Sequence, residues 1–407
     1  MCKMCYYNTM KLPFIKSARA LRGKRVLVRV DLNVPLGDNR CVDTDEDWRM
    51  RAILPTLAFL HSKGARIILM SHLGRPTRKN EADSLQPVAV YFRNVLKVPV
   101  HFVPDCVGTR VEHAIADLKN GEMLLLENLR FHKGEDSNDE QFAASLAQLG
   151  DVYVNDAFAV CHRSVASVVG ITRFLPSYAG LLLMNEIEHL NRVRLTPKKP
   201  LVIVVGGAKT ETKLPFIEAL LEKSSQVLLG GALANTALHC FGYELGKGDC
   251  VPCGVALKKV FHSKKIVLPR DVVVGKKDGS NARVVAITRQ QKQLVRRGEY
   301  AHDVGPATLR LYAAYIKKAK TIFWNGALGV FEVPAYATGT LSLARLIATH
   351  ARGKAFGVIG GGETVQALRR TKMEQYVDHV STGGGALLEY LSGAALPGLE
   401  ALSHKRT

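Results

Sequence analysis

The segment VIGGGETVQAL, residues 358–368, decides the fold of the second half of this 407-residue chain. It joins an apolar run to three glycines, a glutamate, a threonine and a helical pattern. Four other apolar runs after residue 200 pass into glycine in the same way: VIVVGGAK (202–209), VLLGGALA (227–234), IFWNGALG (322–329) and HVSTGGGA (379–386). Each pattern predicts a buried strand, a glycine turn and a helix, which together indicate a parallel sheet.

The glycine turns predict a ligand that carries phosphate. Glycine lets a ligand approach the backbone closely, and the first amides of the following helix favour an anion. A single turn of this kind is commonly a plain loop, but five in one domain favour a phosphate site. Neither GxxxxGK[ST] nor GxGxxG occurs, which argues against a P-loop or dinucleotide-binding enzyme. Lys209 and Lys213 are four residues apart at one of the turns, and on a helix they reach toward the same region.

The first half predicts a second parallel sheet whose strands end in polar and basic residues. Its apolar runs are VLVRVDL (26–32), RIILMS (66–71), VHFV (100–103), MLLLEN (123–128) and DVYVND (151–156). Ligands bind at the carboxyl ends of the strands in such sheets. The residues that end or follow the runs include Asp31, Asn33, His72, Arg75, Arg130, Asn155, His162 and Arg163. A basic wall of this kind suits an anionic substrate.

A linking helix is predicted between the halves. Leu183, Ile187 and Leu190 have helical spacing and Pro197 follows them; a helix within one domain is the alternative. We therefore predict an α/β fold with two Rossmann-like, three-layer domains, each a parallel sheet flanked by helices. The predicted bounds are 1–182 for the first domain, 183–200 for the linker, 201–385 for the second domain, and 386–407 for a segment that returns to the first domain.

The charge and the cysteines leave other functions open. The formal net charge of +20 suits nucleic acid, an anionic membrane face or phosphorylated substrates, but the basic residues are dispersed without interleaved aromatics. A solvated basic surface is the preferred interpretation. CKMC (Cys2, Cys5) and CVPC (Cys250, Cys253) have spacing that chelates zinc, yet they lie at opposite ends of the chain. Reduced structural thiols are therefore predicted. No apolar run approaches the ~20 residues of a membrane span, so we expect an intracellular protein.

Eight segments resemble the signature segments of the phosphoglycerate kinase family, in the family's order and over nearly the whole chain. They are VLVRVDLNVPL (26–36), SHLGRP (71–76), LLLENLRFHKGE (124–135), VNDAFAVCHR (154–163), VVGGAKTETK (204–213), FWNGALGVFE (323–332), GGGET (360–364) and HVSTGGGALLEYLSG (379–393). The resemblance implies a hinge-bending, monomeric, cytoplasmic enzyme of glycolysis and gluconeogenesis. Its expected reaction is Mg²⁺-dependent, reversible phosphoryl transfer between ATP and 3-phosphoglycerate, giving ADP and 1,3-bisphosphoglycerate.

The same resemblance implies residue roles. The acid-binding residues are expected at Asp31, Leu32, Asn33, Arg49, His72, Leu73, Gly74, Arg75, Arg130 and Arg163. The nucleotide-binding residues are expected at Gly207, Lys209, Lys213, Asn325, Glu332, Gly361, Gly362, Glu363 and Thr364, with the turn at Gly383–Gly385 beside them. The catalytic residues are expected to be Arg49, Lys209, Lys213, Gly361 and Gly384.

Several positions depart from the family pattern. Glu363 stands where the family usually has an aspartate near the metal, so Mg²⁺ is expected there with an altered contact. Ala159, Val165 and Ala327 also differ from the common residues, and they bear on adenine packing and loop motion more than on charge. Thr212 replaces a polar or acidic residue before Lys213 and bears on the position of that lysine. Two rivals remain at this point: a catalytically impaired nucleotide-binding protein of the same fold, and a basic nucleic-acid-binding protein. The preference for ATP or GTP is not fixed by the pattern.

Overall fold

The computed structural model describes residues 11–37, 39–207, 210–246 and 252–403. The strands are β1 Arg25–Arg29, β2 Arg66–Met70, β3 Val100–Phe102, β4 Met123–Leu125, β5 Val152–Asn155, β6 Ser177–Ala179, β7 Leu201–Val205, β8 Gln226–Leu229, β9 Ile266–Val267, β10 Asp271–Gly275, β11 Arg283–Ala286, β12 Tyr300–Val304, β13 Thr321–Asn325, β14 Phe356–Gly360 and β15 His379–Ser381.

The α-helices are α1 Trp48–Ala52, α2 Leu54–Ser62, α3 Gln86–Asn94, α4 Thr109–Ala116, α5 Lys133–Asp136, α6 Glu140–Gln148, α7 Leu181–Arg194, α8 Thr210–Leu221, α9 Gly231–Cys240, α10 Val255–Phe261, α11 Pro306–Ile316, α12 Thr338–Ala351, α13 Gly362–Arg370, α14 Gly384–Ser392 and α15 Pro397–Ser403. Short 3₁₀ helices lie at Ile15–Ser17, Leu129–Phe131, Phe158–Val160, Gly170–Arg173, Pro334–Tyr336 and Glu374–Tyr376.

The chain packs as two compact units. The boundaries lie between Ile187 and Glu188, inside α7, and between Ala394 and Ala395. The residues after Ala395 therefore belong to the same unit as β1–β6. Gly398, at the start of α15, donates its backbone N–H to Cys161 O at 2.9 Å within that unit. No helix in the described ranges is both long and apolar enough to cross a membrane.

The first unit is built on a six-stranded parallel sheet in the order β3-β4-β2-β1-β5-β6. β1 and β2 are buried except at their first residues, as expected when helices cover both faces of a parallel sheet. Val26, Val28, Ile67 and Leu69 contribute to its core. The parallel register places the loops after β1, β2, β4 and β5 at one edge of the sheet.

The second unit also has a six-stranded parallel sheet, in the order β15-β14-β13-β7-β8-β9. β7, β13 and β14 at its centre are buried along their whole length. Their aliphatic and aromatic residues form the core with α11 and α12 around Trp324. The predicted α/β class with two parallel sheets is confirmed.

Two predictions for the second unit need correction. First, this unit was predicted to have one parallel sheet flanked by helices, as the first unit does. It contains an additional antiparallel sheet of three strands in the order β11-β10-β12. Second, the glycine turn after β13 does not lead directly into a helix. It forms a loop from Gly326 to Val333 and a 3₁₀ helix at Pro334–Tyr336 before α12 begins at Thr338. The other four glycine turns lead into α8, α9, α13 and α14, as predicted.

The prediction of reduced cysteines is wrong for one pair. Cys240 ends α9 and Cys253 lies just before α10, and the two are joined by a disulfide with a Cα–Cα distance of 5.4 Å. Cys41, Cys106 and Cys161 are free thiols. Cys2, Cys5 and Cys250 lie outside the described residues, so the CKMC pair and one half of CVPC are not placed. Since Cys253 is disulfide-bonded, it is not a metal ligand in this structure.

Candidate functional site

The loops after β1 and β2 are joined by hydrogen bonds among predicted acid-binding residues. Asp31 Oδ1 accepts the N–H of Asn33 at 3.1 Å, and Asn33 Oδ1 accepts the N–H of Gly74 at 2.9 Å. The side chains of Leu32 and Leu73 are buried in the core. These two leucines therefore contribute to the site through their backbone.

Arg49 projects from α1 against these loops. Its Nη1 donates to Asn33 O at 2.8 Å, and its Nε lies 3.7 Å from Asp31 Oδ2. The guanidinium also lies over the Trp48 ring, 4.8 Å from the centroid. The Nε atom is buried and has no hydrogen-bond acceptor among the described residues. Arg49 is thus a positioned cation with an unsatisfied donor, which is costly unless a ligand or water completes it.

His72 is held in one protonation state by a buried network. Arg29 Nη2 lies 3.1 Å from His72 Nδ1, and because an arginine only donates, Nδ1 accepts and Nε2 carries the proton. Burial lowers the pKa of His72 well below its ordinary value, and Arg29, Arg130, Arg163 and Arg49 lower it further. His72 therefore stays neutral and offers an Nε2–H donor. Four arginines close enough to repel its proton mark a strongly positive pocket.

Arg29 is a buried residue of the candidate site that the sequence analysis did not single out. It is 1% exposed, donates through Nε to Ser167 Oγ at 2.9 Å, and lies 4.0 Å from Glu135 Oε1. Ser167 Oγ in turn donates to Glu135 Oε1 at 2.6 Å. The signal was present as a charged residue inside the apolar run of β1. A buried arginine there requires a buried partner, and Arg29, held by Glu135 and Ser167, in turn positions His72.

Arg75, Arg130 and Arg163 line an open cavity of about 690 Å³ in the first unit. The pKa of Arg163 is lowered by partial burial and by the positive charges of Arg130 and Arg75. Arg130 lies 3.4 Å from Asp136, and its Nη1 donates to Gly74 O. His162 also lines the cavity, and burial and Arg163 lower its pKa. Like charges held together in this way favour a bound anion.

Asn128 fixes the loop that carries Arg130, and the sequence analysis did not assign it a role. It is fully buried; its Nδ2 donates to Leu73 O at 2.7 Å, and its Oδ1 accepts the N–H of Leu73 at 3.2 Å and of Arg130 at 3.1 Å. One amide side chain therefore sets the spacing of the loops after β2 and β4. Its place after the run MLLLE was the available signal.

In the second unit the glycine turns after β7, β8 and β13 are packed against one another. Gly207 has a φ of +71° and donates its N–H to Ala327 O at 2.6 Å. A Cβ on Gly206 would overlap Ala327 O, and one on Gly326 would overlap Gly206 O. These glycines are required because three backbone segments approach within van der Waals contact. Ala327, one of the departures from the family pattern, takes part through its carbonyl.

Asn325 and Thr364 join the turns after β13 and β14. Asn325 Nδ2 donates to Gly360 O at 2.8 Å, and Thr364 Oγ1 accepts the N–H of Gly326 at 2.6 Å. Gly361 has a φ of +95°, and a Cβ on it would lie 2.7 Å from Asn325 Nδ2. Both side chains are buried. Their contacts support the turns, so the structure gives these predicted nucleotide-binding residues a positioning role.

A cavity of about 420 Å³ opens beside these turns. Gly207, Glu332 and Glu363, three of the predicted residues, line it. Lys213 lies at the same end: its Nζ donates to Gly206 O, and a Cβ on Gly207 would lie 2.9 Å from Lys213 Nζ and 3.0 Å from Glu363 Oε2. An amine and a carboxylate thus flank the backbone of Gly207. A nucleotide is of the size that such cavities hold.

The remaining predicted residues are placed as follows. Gly362 is the first residue of α13, and a Cβ on it would meet nothing within 4 Å. Gly384 begins α14 after the edge strand β15, so β14 separates its strand from β13. Thr212, before Lys213, is exposed. Lys209 lies outside the described residues.

The carboxylates present fit a metal only in company with phosphate. No three His, Cys, Asp or Glu side chains cluster as a metal site within the described ranges. Glu363 is exposed in the first turn of α13 and lines the cavity. Mg²⁺ is commonly bound by one or two carboxylates with substrate phosphates and waters. The residues therefore fit a metal that arrives with a nucleotide.

The comparisons with known proteins agree in family. The family model described as "Phosphoglycerate kinase" matches residues 15–394. A phosphoglycerate kinase of Moorella thermoacetica is 46% identical over 394 residues, which cover 95% of this chain and 98% of the relative. A chloroplastic phosphoglycerate kinase of Volvox carteri is 41% identical, covering 95% of this chain and 84% of the relative.

Solved structures agree as well. The structure of phosphoglycerate kinase from Coxiella burnetii has a TM-score of 0.80 at 36% identity, covering 96% of this chain and 99% of that one. The structure from Pyrococcus horikoshii has a TM-score of 0.84 at 31% identity, covering 96% and 98%.

Proposed function

The chain belongs to the phosphoglycerate kinase family, and from this premise we propose which residues carry its reaction. It is an enzyme of the phosphotransferase class. The proposed reaction is transfer of the γ-phosphoryl group of ATP to the carboxylate of 3-phospho-D-glycerate, giving ADP and 1,3-bisphosphoglycerate, and its reverse. The observation that carries the proposal is the group of arginines gathered around a neutral His72.

The anionic acid is proposed to bind at the strand ends of the first unit. Its phosphate suits Arg75, Arg130 and Arg163, which line one open cavity. Its carboxylate end suits the Arg49 Nε donor and the His72 Nε2–H. Charge-assisted hydrogen bonds to guanidinium groups contribute about 1.5 to 3 kcal/mol each. The remaining predicted residues, such as Asn33, hold these cations in place.

The nucleotide is proposed to bind at the glycine turns of the second unit. The first turn of α13, at Gly361 and Gly362, offers N–H groups to phosphates, and the turn at Gly207 lines the cavity beside it. Lys213 supplies a cation near Gly207. Glu363 would hold Mg²⁺ together with the phosphates, and the bound metal would neutralise charge on them.

The reaction needs no general base, since a carboxylate with an ordinary pKa near ~3.5 is already ionised at neutral pH. Catalysis then consists of alignment and neutralisation of charge on the transferring group. Arg49 and Lys209 are proposed to stabilise that charge, with Lys213 and the amides near Gly361 and Gly384. Removing one such cation costs on the order of 10³-fold in rate.

The proposal includes hinge bending about α7. Reacting atoms must come within about 3 to 3.5 Å, and the two sites belong to different compact units whose boundary lies within α7. We propose further that the enzyme is a cytoplasmic monomer that acts in glycolysis and gluconeogenesis. Light scattering on the purified protein and fractionation of the source cells test those two points.

The deciding experiment measures ADP release from Mg-ATP with and without 3-phosphoglycerate, coupled to a dehydrogenase that consumes the bisphosphate. We expect turnover that depends on the acid and disappears when EDTA removes divalent metal. Tight nucleotide binding with no acid-dependent turnover would contradict the proposal. Acid-dependent turnover that is insensitive to EDTA would support the proposed phosphoryl transfer but contradict its dependence on Mg²⁺.

A further inference from the structure

His302 occupies the wall of the nucleotide cavity without a role in the proposed chemistry. It lies in the middle of β12 and lines the same cavity as Gly207 and Glu363. Its ring stacks on Tyr336 with a centroid distance of 4.4 Å and an interplanar angle of 30°, and it contacts Tyr300 at 5.8 Å. The two tyrosines restrict its orientation.

The two ring nitrogens of His302 have different surroundings. Nε2 is buried and has no hydrogen-bond partner among the described residues. The backbone of Gly275 accepts a hydrogen bond from the ring, which leaves Nδ1 as the donor. Burial and Lys277 lower the pKa of His302 despite that bond. The neutral ring therefore presents the lone pair of Nε2 as an acceptor.

The polar neighbours of His302 do not satisfy this acceptor. Asp303, the next residue, accepts the N–H groups of Gly339 at 2.7 Å and Val304 at 2.9 Å. Lys277 lies over the Tyr300 ring, 5.8 Å from its centroid. A buried acceptor without a partner is destabilising, so a donor is expected from the molecule that fills the cavity.

We propose that His302 selects the base of the nucleotide by accepting a hydrogen bond at Nε2 from the amino group on C6 of adenine. This inference rests on the proposed function, because it assumes that the cavity holds a nucleoside phosphate. A base with a carbonyl at C6 places an acceptor against an acceptor and is disfavoured. A base with hydrogen at C6 leaves Nε2 unsatisfied.

The test compares ATP, inosine triphosphate and purine riboside triphosphate as phosphoryl donors at saturating 3-phosphoglycerate. Wild type should prefer ATP over both analogues by about tenfold in kcat/KM, the size expected for one buried hydrogen bond. His302→Leu removes the acceptor and should bring the three donors to within about twofold of one another. The loss with ATP should appear in KM more than in kcat, since the base is not the reacting group.

The matched control is His262→Leu, which removes an exposed histidine directly after α10 in the same unit. It should keep the wild-type order of donors. His302→Gln, which retains an acceptor, should keep part of the preference for ATP. Equal use of ATP and purine riboside triphosphate by wild type, or unchanged discrimination in His302→Leu, would overturn the inference.

Calorimetry with ADP, inosine diphosphate and purine riboside diphosphate separates this inference from the proposed function. Absence of turnover with every donor would contradict the kinase proposal, while the three binding constants would still test His302. Conversely, acid-dependent turnover with equal use of the three donors would support the kinase proposal but contradict the inference about His302.

Discussion

At the scale of single residues, the proposed acid site consists of cations whose positions are set before any ligand arrives. Arg49 is fixed by Asn33 O and Asp31, yet its Nε has no acceptor among the described residues. His72 is fixed by Arg29 and keeps its Nε2 proton. Preorganised donors of this kind stabilise charge without reorganisation during the reaction.

Arg49→Ala is expected to lower kcat by on the order of 10³-fold, because it removes a positioned cation from the transferring group. Steady-state kinetics with both substrates at saturation measures the change. Arg49→Lys keeps the charge but not the planar guanidinium, so its kcat should lie between those of wild type and Arg49→Ala. The control is Arg51→Lys on the same helix, since Arg51 points instead to Asp47 at 2.7 Å. A loss below tenfold in Arg49→Ala would contradict a catalytic role.

Glu363→Gln is expected to raise the Mg²⁺ concentration for half-maximal rate by about tenfold, since a carboxylate is a stronger ligand for Mg²⁺ than an amide. Glu363→Asp should remain close to wild type. Titration of Mg²⁺ at fixed ATP measures both, with Glu218→Gln, an exposed residue of α8, as the control. An unchanged Mg²⁺ requirement in Glu363→Gln would show that this residue does not bind the metal.

The sequence predicted the cations near the strand ends better than the buried residues that hold them. Arg75, Arg130 and Arg163 follow apolar runs and could be recognised at strand ends. Arg29 and Asn128 act through long-range partners, Ser167 and Glu135 for Arg29 and the backbone of Leu73 for Asn128. Those partners are far apart in the chain, so only the folded structure joins them. Lys209 stays a prediction.

At the scale of secondary-structure elements, the glycine turns perform two separable tasks. Gly206 and Gly326 allow the turns after β7 and β13 to touch. Gly362, at the start of α13, has open space where its Cβ would be. The first task concerns packing within the protein, whereas the second leaves room for a ligand.

Gly326→Ala and Gly362→Ala should therefore have different effects. Gly326 has a φ of +90° and no room for a methyl group, so its substitution should lower the free energy of unfolding by about 1 to 3 kcal/mol. Gly362→Ala should leave the melting temperature unchanged and weaken ADP binding by about tenfold. Calorimetry of unfolding and of binding measures both. Gly254→Ala, with nothing near its Cβ and an ordinary φ, is the neutral control.

The interpretation would fail if Gly362→Ala bound ADP as wild type does, or if Gly326→Ala were as stable as Gly254→Ala. In the first case the start of α13 would not face the phosphates. In the second, the turns after β7 and β13 would separate at little cost.

The elements that the sequence analysis missed have weak local patterns. β10, β11 and β12 are short, and β12 carries His302 and Asp303 among its five residues. Their pairing is antiparallel and partly irregular between Val273 and Val274. The disulfide from Cys240 to Cys253 depends on where α9 ends and α10 begins, which a CxxC search does not detect. By contrast, the five glycine-ended strands follow directly from their apolar runs.

At the scale of the whole molecule, both compact units contain buried carboxyl groups with a raised pKa, and Glu135 and Asp156 are two of them in the first unit. Burial raises the pKa of Asp156 to about 6 in the first unit and that of Asp303 to about 7 in the second. The chain has two tryptophans, Trp48 in the first unit and Trp324 in the second. Fluorescence can therefore follow each unit separately once the other tryptophan is replaced. Unfolding then has to be a two-state transition only within each unit, not across the whole chain.

The last prediction concerns the pH dependence of the second unit. The folded pKa of Asp303 is about 7, against an ordinary value of 3.8. Between these values the folded state holds a proton that the unfolded state has lost. The stabilising contribution is therefore complete below about pH 4 and is lost as the pH rises through about 7. In a Trp48→Phe background, the unfolding free energy reported by Trp324 should include this falling contribution.

Asp303→Asn removes the titrating group, so the free-energy difference between the parent and this variant should shrink steadily from pH 5 to pH 8. Taking the difference cancels the contributions of groups that titrate alike in the parent and in the variant. Asp278→Asn is the control, since Asp278 is exposed and its pKa is lowered, which places its effect below this window. A flat difference for Asp303→Asn would mean that this carboxyl titrates at its ordinary value despite its burial beside the cavity proposed for the nucleotide.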